Sequence, residues 1–107
     1  MSIESQIQGN IARITMSGRF DFELQHAFKS TYAPLIKDED VHQIEIELAQ
    51  VEYLDSSALG MLMLLNERAR GSKKSMTLLN PSGVASHVLE VANFNHLFTI
   101  SHAGSAA

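Results

Sequence analysis

The 107-residue chain carries 12 acidic and 8 basic side chains for a formal net charge of −4, with 45% hydrophobic residues and no Cys. That length suits one domain over residues 1–107, and the apolar share is too high for a disordered segment. The acidic balance speaks against nucleic-acid and anionic-membrane surfaces, and the lack of Cys removes disulfides, thiolate metal sites and Cys nucleophiles.

The stretch Met1–Ser5 has neither the basic nor the apolar part of a secretory signal. The longest nearly apolar run, Ala58 to Leu65, is eight residues, far short of the roughly 20 that span a bilayer. A cytoplasmic protein without direct membrane insertion is expected.

Ile3, Ser5 and Ile7 alternate with Glu4 and Gln6, and a second alternating run follows Gln8-Gly9-Asn10. This predicts a β-hairpin, with Gly9-Asn10 supplying the positive φ of a tight turn and Ser17-Gly18 breaking the second strand. From Asp21 to Ile36, Leu24, Ala27, Phe28 and Leu35 recur at helical spacing, with Asp21 as N-cap and Pro34 in the last turn. Gln43–Ala49 sets Ile44, Ile46 and Leu48 against Glu45 and Glu47, a strand with one buried and one wet face. A helix is predicted from about Ser57 to Arg70, stopped by Gly71. Met76–Leu79 reads as a short strand, Asn80-Pro81 as a turn, and Ser82 as the N-cap of a helix carrying Val84, Val88, Leu89 and Val91. A last edge strand is expected over Leu97–Ile100, and a frayed tail over His102–Ala107.

The order is thus β-β-α-β-α-β-α-β. It predicts an α/β fold with a mixed four- to five-stranded β-sheet, antiparallel in the opening hairpin and parallel beyond, with helices mainly on one face.

Chemically, Tyr53-Leu54-Asp55-Ser56-Ser57-Ala58-Leu59-Gly60 stands out, running from a strand edge into a helix. N-capping alone explains one polar residue there, not three. At 100° per residue, Ala58, Leu62, Leu65 and Ala69 form the core side of that helix, flanked by Leu59 and Met61. Gly60, Met63 and Leu64 fall on the side of Glu67, and the stripe runs back to Ser56 and Ser57. An apolar strip that starts at two hydroxyls marks a docking surface, or else a face covered by another helix or a second copy. Arg68, Arg70, Lys73 and Lys74 read as cations closing the helix.

Leu54-Asp55-Ser56-Ser57-Ala58-Leu59-Gly60 resembles the D-S-[ST]-[GA]-L-G signature of STAS domains, with Ala58 where Gly is frequent. Ser17-Gly18-Arg19-Phe20-Asp21 is similar to that family's G-x-x-D turn, and the element order and the Asn80-Pro81-Ser82 turn agree. The chain's C-terminus departs from the family in having little of its final helix. The resemblance, to stand-alone bacterial anti-sigma factor antagonists, implies a STAS-like fold and phosphorylation at Ser56 by a partner that is both anti-sigma factor and serine kinase. A PP2C-type phosphatase would reverse it. It further implies that Asp55 orients the acceptor loop, Ser57 caps the helix, and Gly18 and Asp21 form a neighbouring contact surface. The partner-binding set is then Gly18, Asp21, Asp55, Ser56, Ser57, Gly60, Met63 and Leu64. The alternative is a structural STAS subunit without phosphorylation, in a lipid-transport ATPase or a stress-signalling assembly.

An enzyme is not expected. Ser56 lacks a G-x-S-x-G elbow, the five His have no metal-ligand spacing, and no Gly-rich run precedes a Lys-Ser or Lys-Thr pair, so no cofactor or metal is implied.

Overall fold

β1 (Ser2–Gln8) and β2 (Ile11–Phe20) form an antiparallel hairpin in the computed structural model, which describes residues 2–102. Gly9 takes the positive φ (+63°) at the first central residue of the two-residue turn. Asn10, expected to share it, does not, so the turn follows the pattern that needs only glycine in its first central position. β3 (Gln43–Leu54), β4 (Ser75–Leu79) and β5 (Thr99–Ser101) then add in parallel, giving one sheet in the order β1-β2-β3-β4-β5.

Each parallel step is made by one helix: α1 (Gln25–Lys37), α2 (Ser56–Gly71) and α3 (Gly83–Val91). The strands step in one direction across the sheet, so right-handed crossovers bring all three helices to the same face. That face holds the core. Ile14, Met16, Ile44, Ile46, Leu48 and Leu78 point into it from the strands and meet Phe28, Leu62 and Leu65, all essentially without solvent exposure. Phe20, Phe28 and Tyr32 pack ring against ring, with centroids 5.2 and 5.4 Å apart. The other sheet face is polar, with Arg13 and Glu45 ion-paired at 2.9 Å across neighbouring strands.

Several boundaries differ from the sequence expectation. Ser17-Gly18 does not end β2: Gly18 takes φ +85° beside a shift in register with β3, and the strand continues to Phe20. A bulge absorbs the glycine's conformation where a strand end was expected. Asp21 does cap, but it caps a 3-10 turn at Phe22–Leu24 that precedes α1. Pro34 lies inside α1, exposed, and the helix runs past it to Lys37. Ser82 precedes α3 without a side-chain cap bond, and of the apolar residues assigned to that helix Leu89 alone is buried. β5 starts later than expected, because a 3-10 turn at Phe94–His96 stacks Phe98 on Phe94, with centroids 5.0 Å apart.

Lys74 does not close α2. It is 8% exposed, and its ammonium donates to the carbonyls of Asp38 (2.9 Å) and Val41 (2.8 Å), tying the end of α2 to the loop before β3. Two backbone acceptors satisfy the buried charge. Of the expected tail, His102 follows β5 outside the strand, and residues 103–107 lie outside the described residues.

Candidate functional site

The parallel register of β2 and β3 sets Arg19 beside Tyr53 and Phe20 beside Leu54, so the residues that leave the two strands, Asp21 and Asp55, emerge next to each other. The Asp55 N–H donates to the Phe20 carbonyl at 3.4 Å, which holds the two loops together. This is the carboxyl end of parallel strands, where loops rather than the sheet form the accessible surface.

Asp55 is extended (φ −109°, ψ −178°) and its Oδ1 accepts from the Ala58 N–H at 2.9 Å, which makes it the N-cap of α2. That corrects the role expected of Ser57, which lies in the second helical position and caps nothing. The physical reason is distance: only a residue before the helix can turn its side chain back to the free amides of the first turn. Ser56 is the first helical residue and is exposed, while Ser57 is half-buried.

Asp21 sits beside this start. Its Oδ1 accepts from the Glu23 N–H at 3.1 Å, and its Oδ2 lies 3.5 Å from the Arg19 guanidinium. The same guanidinium stacks over the Tyr53 ring, 4.2 Å from its centroid. Arg19 therefore ties the Asp21 loop to the end of β3, held by a carboxylate and an aromatic face. Asp21, Asp55, Ser56 and Ser57 thus stand at the neighbouring ends of β2 and β3, while Gly18 lies further back in the sheet, at the bulge and opposite Val51.

The outer side of α2 continues from the two hydroxyls. Met63 is 51% and Leu64 43% exposed, in contrast to the buried Ala58, Met61, Leu62, Leu65 and Ala69 on the other side. Two open grooves flank this ridge. One of about 310 Å³ is lined by Phe22, Gln25, Ser57, Gly60, Met61 and Leu64. The other, about 780 Å³, runs between α2 and the segment before β5, with Met63, Leu64, Leu97 and Phe98 as its apolar walls. Gly60 belongs to both. A Cβ built on it meets no atom within 4 Å, so no internal contact demands glycine there. Glycine keeps the ridge low where it separates the grooves.

Four contributors carry no assigned role in the sequence reading. Arg19 and Tyr53 become partners only through the β2–β3 register. Phe22 is 66% exposed at the rim of the smaller groove, and its signal was an aromatic side chain directly after a cap residue. Gln25 reaches that groove because α1 packs beside α2. Among the described residues no group of three or more His, Asp or Glu is placed to hold a metal ion, and no helix is long and apolar enough to cross a membrane.

A family model described as "Mlab, STAS domain" matches residues 3–99. The chain belongs to the STAS family. A STAS-domain containing protein of Pseudomonas aeruginosa (strain UCBPP-PA14) is 37% identical over 93 residues, covering 87% of this chain and 90% of that protein. Among solved structures, an anti-sigma-factor antagonist (STAS) domain protein from Planctomyces limnophilus superposes with a TM-score of 0.83 at 17% identity, over 97% of this chain and 92% of the other. The Bacillus cell fate determinant SpoIIAA in its phosphorylated form gives 0.76 at 16% identity, over 98% and 94%. The anti-sigma factor antagonist SpoIIAA in its unphosphorylated form gives 0.73 at 15%, over 94% and 86%. At these identities the structural likeness is one of fold. This STAS domain thus shares the fold of anti-sigma factor antagonists, and the Leu54–Gly60 segment that carries the signature runs from the last residue of β3 through the Asp55 cap into the start of α2.

Proposed function

We propose that this STAS domain is an anti-sigma factor antagonist that works as a phospho-switchable binding module in the cytoplasm, without catalytic activity of its own. With Ser56 unmodified, the α2 ridge and the loops at Gly18–Asp21 and Asp55–Ser57 dock on an anti-sigma factor that is also a serine kinase. Transfer of a phosphoryl group from ATP to the Ser56 hydroxyl oxygen releases that partner, and a PP2C-type phosphatase restores the binding form.

The observation that carries this reading is an exposed hydroxyl at the first residue of a helix whose outer face continues directly into apolar grooves. A phosphate adds about −1.5 to −2 charge units, and a helix N-terminus favours such an anion through its free N–H groups and dipole. The domain itself therefore tolerates the modification. A partner that buries the ridge would have to desolvate that anion beside the Asp55 carboxylate, with Arg19 already engaged by Asp21 and Tyr53. The complex weakens while the fold persists.

Incubation with the partner kinase and ATP adds one phosphate, located at Ser56 by tandem mass spectrometry. Ser56→Ala keeps partner capture and Ser56→Asp loses most of it. Equal capture by all forms refutes the switch. A second reading, a STAS subunit that keeps one partner permanently through the same α2 face without phosphorylation, is favoured by the name of the matching family model, which is Mlab. Under it Ser56→Asp and Ser56→Ala co-purify with the same subunit.

A further inference from the structure

β1 is the end strand of the sheet, and among the described residues no strand pairs with its outer edge. All seven of its residues pair with β2 in unbroken register, from Gln8 opposite Ile11 to Ser2 opposite Ser17. Natural sheet edges are blunted by Lys, Pro, bulges or very short strands, and this strand has none of these, Glu4 being its one charge. Ile7 is 51% exposed on the core-side face, in line with the half-buried Ile3.

We propose that this edge is a homodimer interface, in which β1 pairs antiparallel with β1 of a second copy about a two-fold axis through Ser5. The strand's own sequence selects that occupant. In this register Ser5 faces Ser5, Ile3 faces Ile7, Glu4 faces Gln6 and Ser2 faces Gln8, one residue from each copy, so all seven positions are paired. The two Ile pairs lie on the core side, where β-branched cross-strand neighbours stabilise a sheet, and each carboxylate meets an amide donor. An axis through Glu4 would set like charges opposite each other. An axis through Gln6 would set Ile7 against Ser5 and leave Ser2 and Ile3 unpaired. The neighbouring helix leaves room: Gln25 of α1 lines the groove toward α2, so the opposite side, toward β1, carries Ala27, Thr31 and Pro34. These are small, and the Thr31 hydroxyl already donates to the Ala27 carbonyl at 2.8 Å.

The resulting ten-stranded sheet is isologous, so both copies carry their helices on one side and expose both α2 ridges. It uses neither Ser56 nor any residue of α2 and stands independently of the proposed switch.

The chain has no Cys, which makes a single introduced thiol a clean reporter. Cα atoms opposite each other across an antiparallel pair are about 4.5–5.5 Å apart, inside the range a disulfide spans. Ser5→Cys on the axis is therefore expected to cross-link under mild oxidation at least tenfold faster than Gln8→Cys, whose two copies lie about 20 Å apart at roughly 3.4 Å per residue. Sedimentation equilibrium of the unmodified protein gives twice the monomer mass at high concentration. Ile7→Lys raises the dimer dissociation constant about fivefold or more, with the thermal unfolding midpoint unchanged at low concentration. A monomer at every concentration, or a dimer that cross-links equally through both positions, overturns the proposal.

Discussion

Gly60→Ala is expected to stabilise this STAS domain. Glycine in an exposed helix interior is less favourable than alanine by about 0.8–1.0 kcal/mol, because the unfolded chain has more backbone freedom to lose. The gain is realised only where the added methyl fits, and at Gly60 a Cβ meets nothing within 4 Å. An unfolding entropy of about 2.1 cal/mol/K per residue amounts to about 0.22 kcal/mol/K for 107 residues. A gain of about 0.9 kcal/mol therefore raises Tm by about 4 °C. Differential scanning calorimetry reads that shift, and urea titration should show a higher midpoint with an unchanged m-value. The same methyl stands on the ridge between the grooves, so Gly60→Leu, whose larger side chain fills space the grooves leave open, should weaken partner binding about tenfold or more. A neutral or lower Tm for Gly60→Ala would refute the reasoning, since it would mean that an internal contact, and not the outer surface, requires glycine.

Asp55→Ala removes the cap of α2 and should cost about 1–2 kcal/mol, whereas Asp55→Asn keeps an acceptor for the Ala58 N–H and should stay within about 0.5 kcal/mol of the parent in the same urea titration. Leu62→Ala, at a fully buried position, should cost about 2–5 kcal/mol by thermal unfolding, while Leu64→Ala on the exposed ridge should cost under about 1 kcal/mol and show its effect in partner capture.

Periodicity made most of the fold legible. The alternation of Ile44, Ile46 and Leu48 with Glu45 and Glu47 identified β3 and its buried face, and the 3.6-residue spacing of Ala58, Leu62, Leu65 and Ala69 identified both sides of α2. What failed were places where local signals compete. Gly18 reads equally as a strand end and as a bulge, and only pairing with β3 decides which. Lys74 reads as an exposed helix-closing cation, but packing of the loop before β3 buries it against two carbonyls that lie more than 30 residues earlier in the chain. The family resemblance implies a cap at Ser57, but Asp55 takes that role by standing one position outside the helix.

The sequence by itself determined the element types, the parallel order, the core face and the position of an exposed serine at the head of an amphipathic helix, because these follow from side-chain period and from the chemistry of helix ends. Tertiary structure alone decided that Asp21 and Asp55 emerge together, that Arg19 reaches both Asp21 and the Tyr53 ring, that Phe22 and Leu97 extend the α2 ridge into grooves, and that among the described residues no strand pairs with the outer edge of β1. These depend on which strands become neighbours and in what register, contacts between residues far apart in the chain, and no local pattern of residues encodes them.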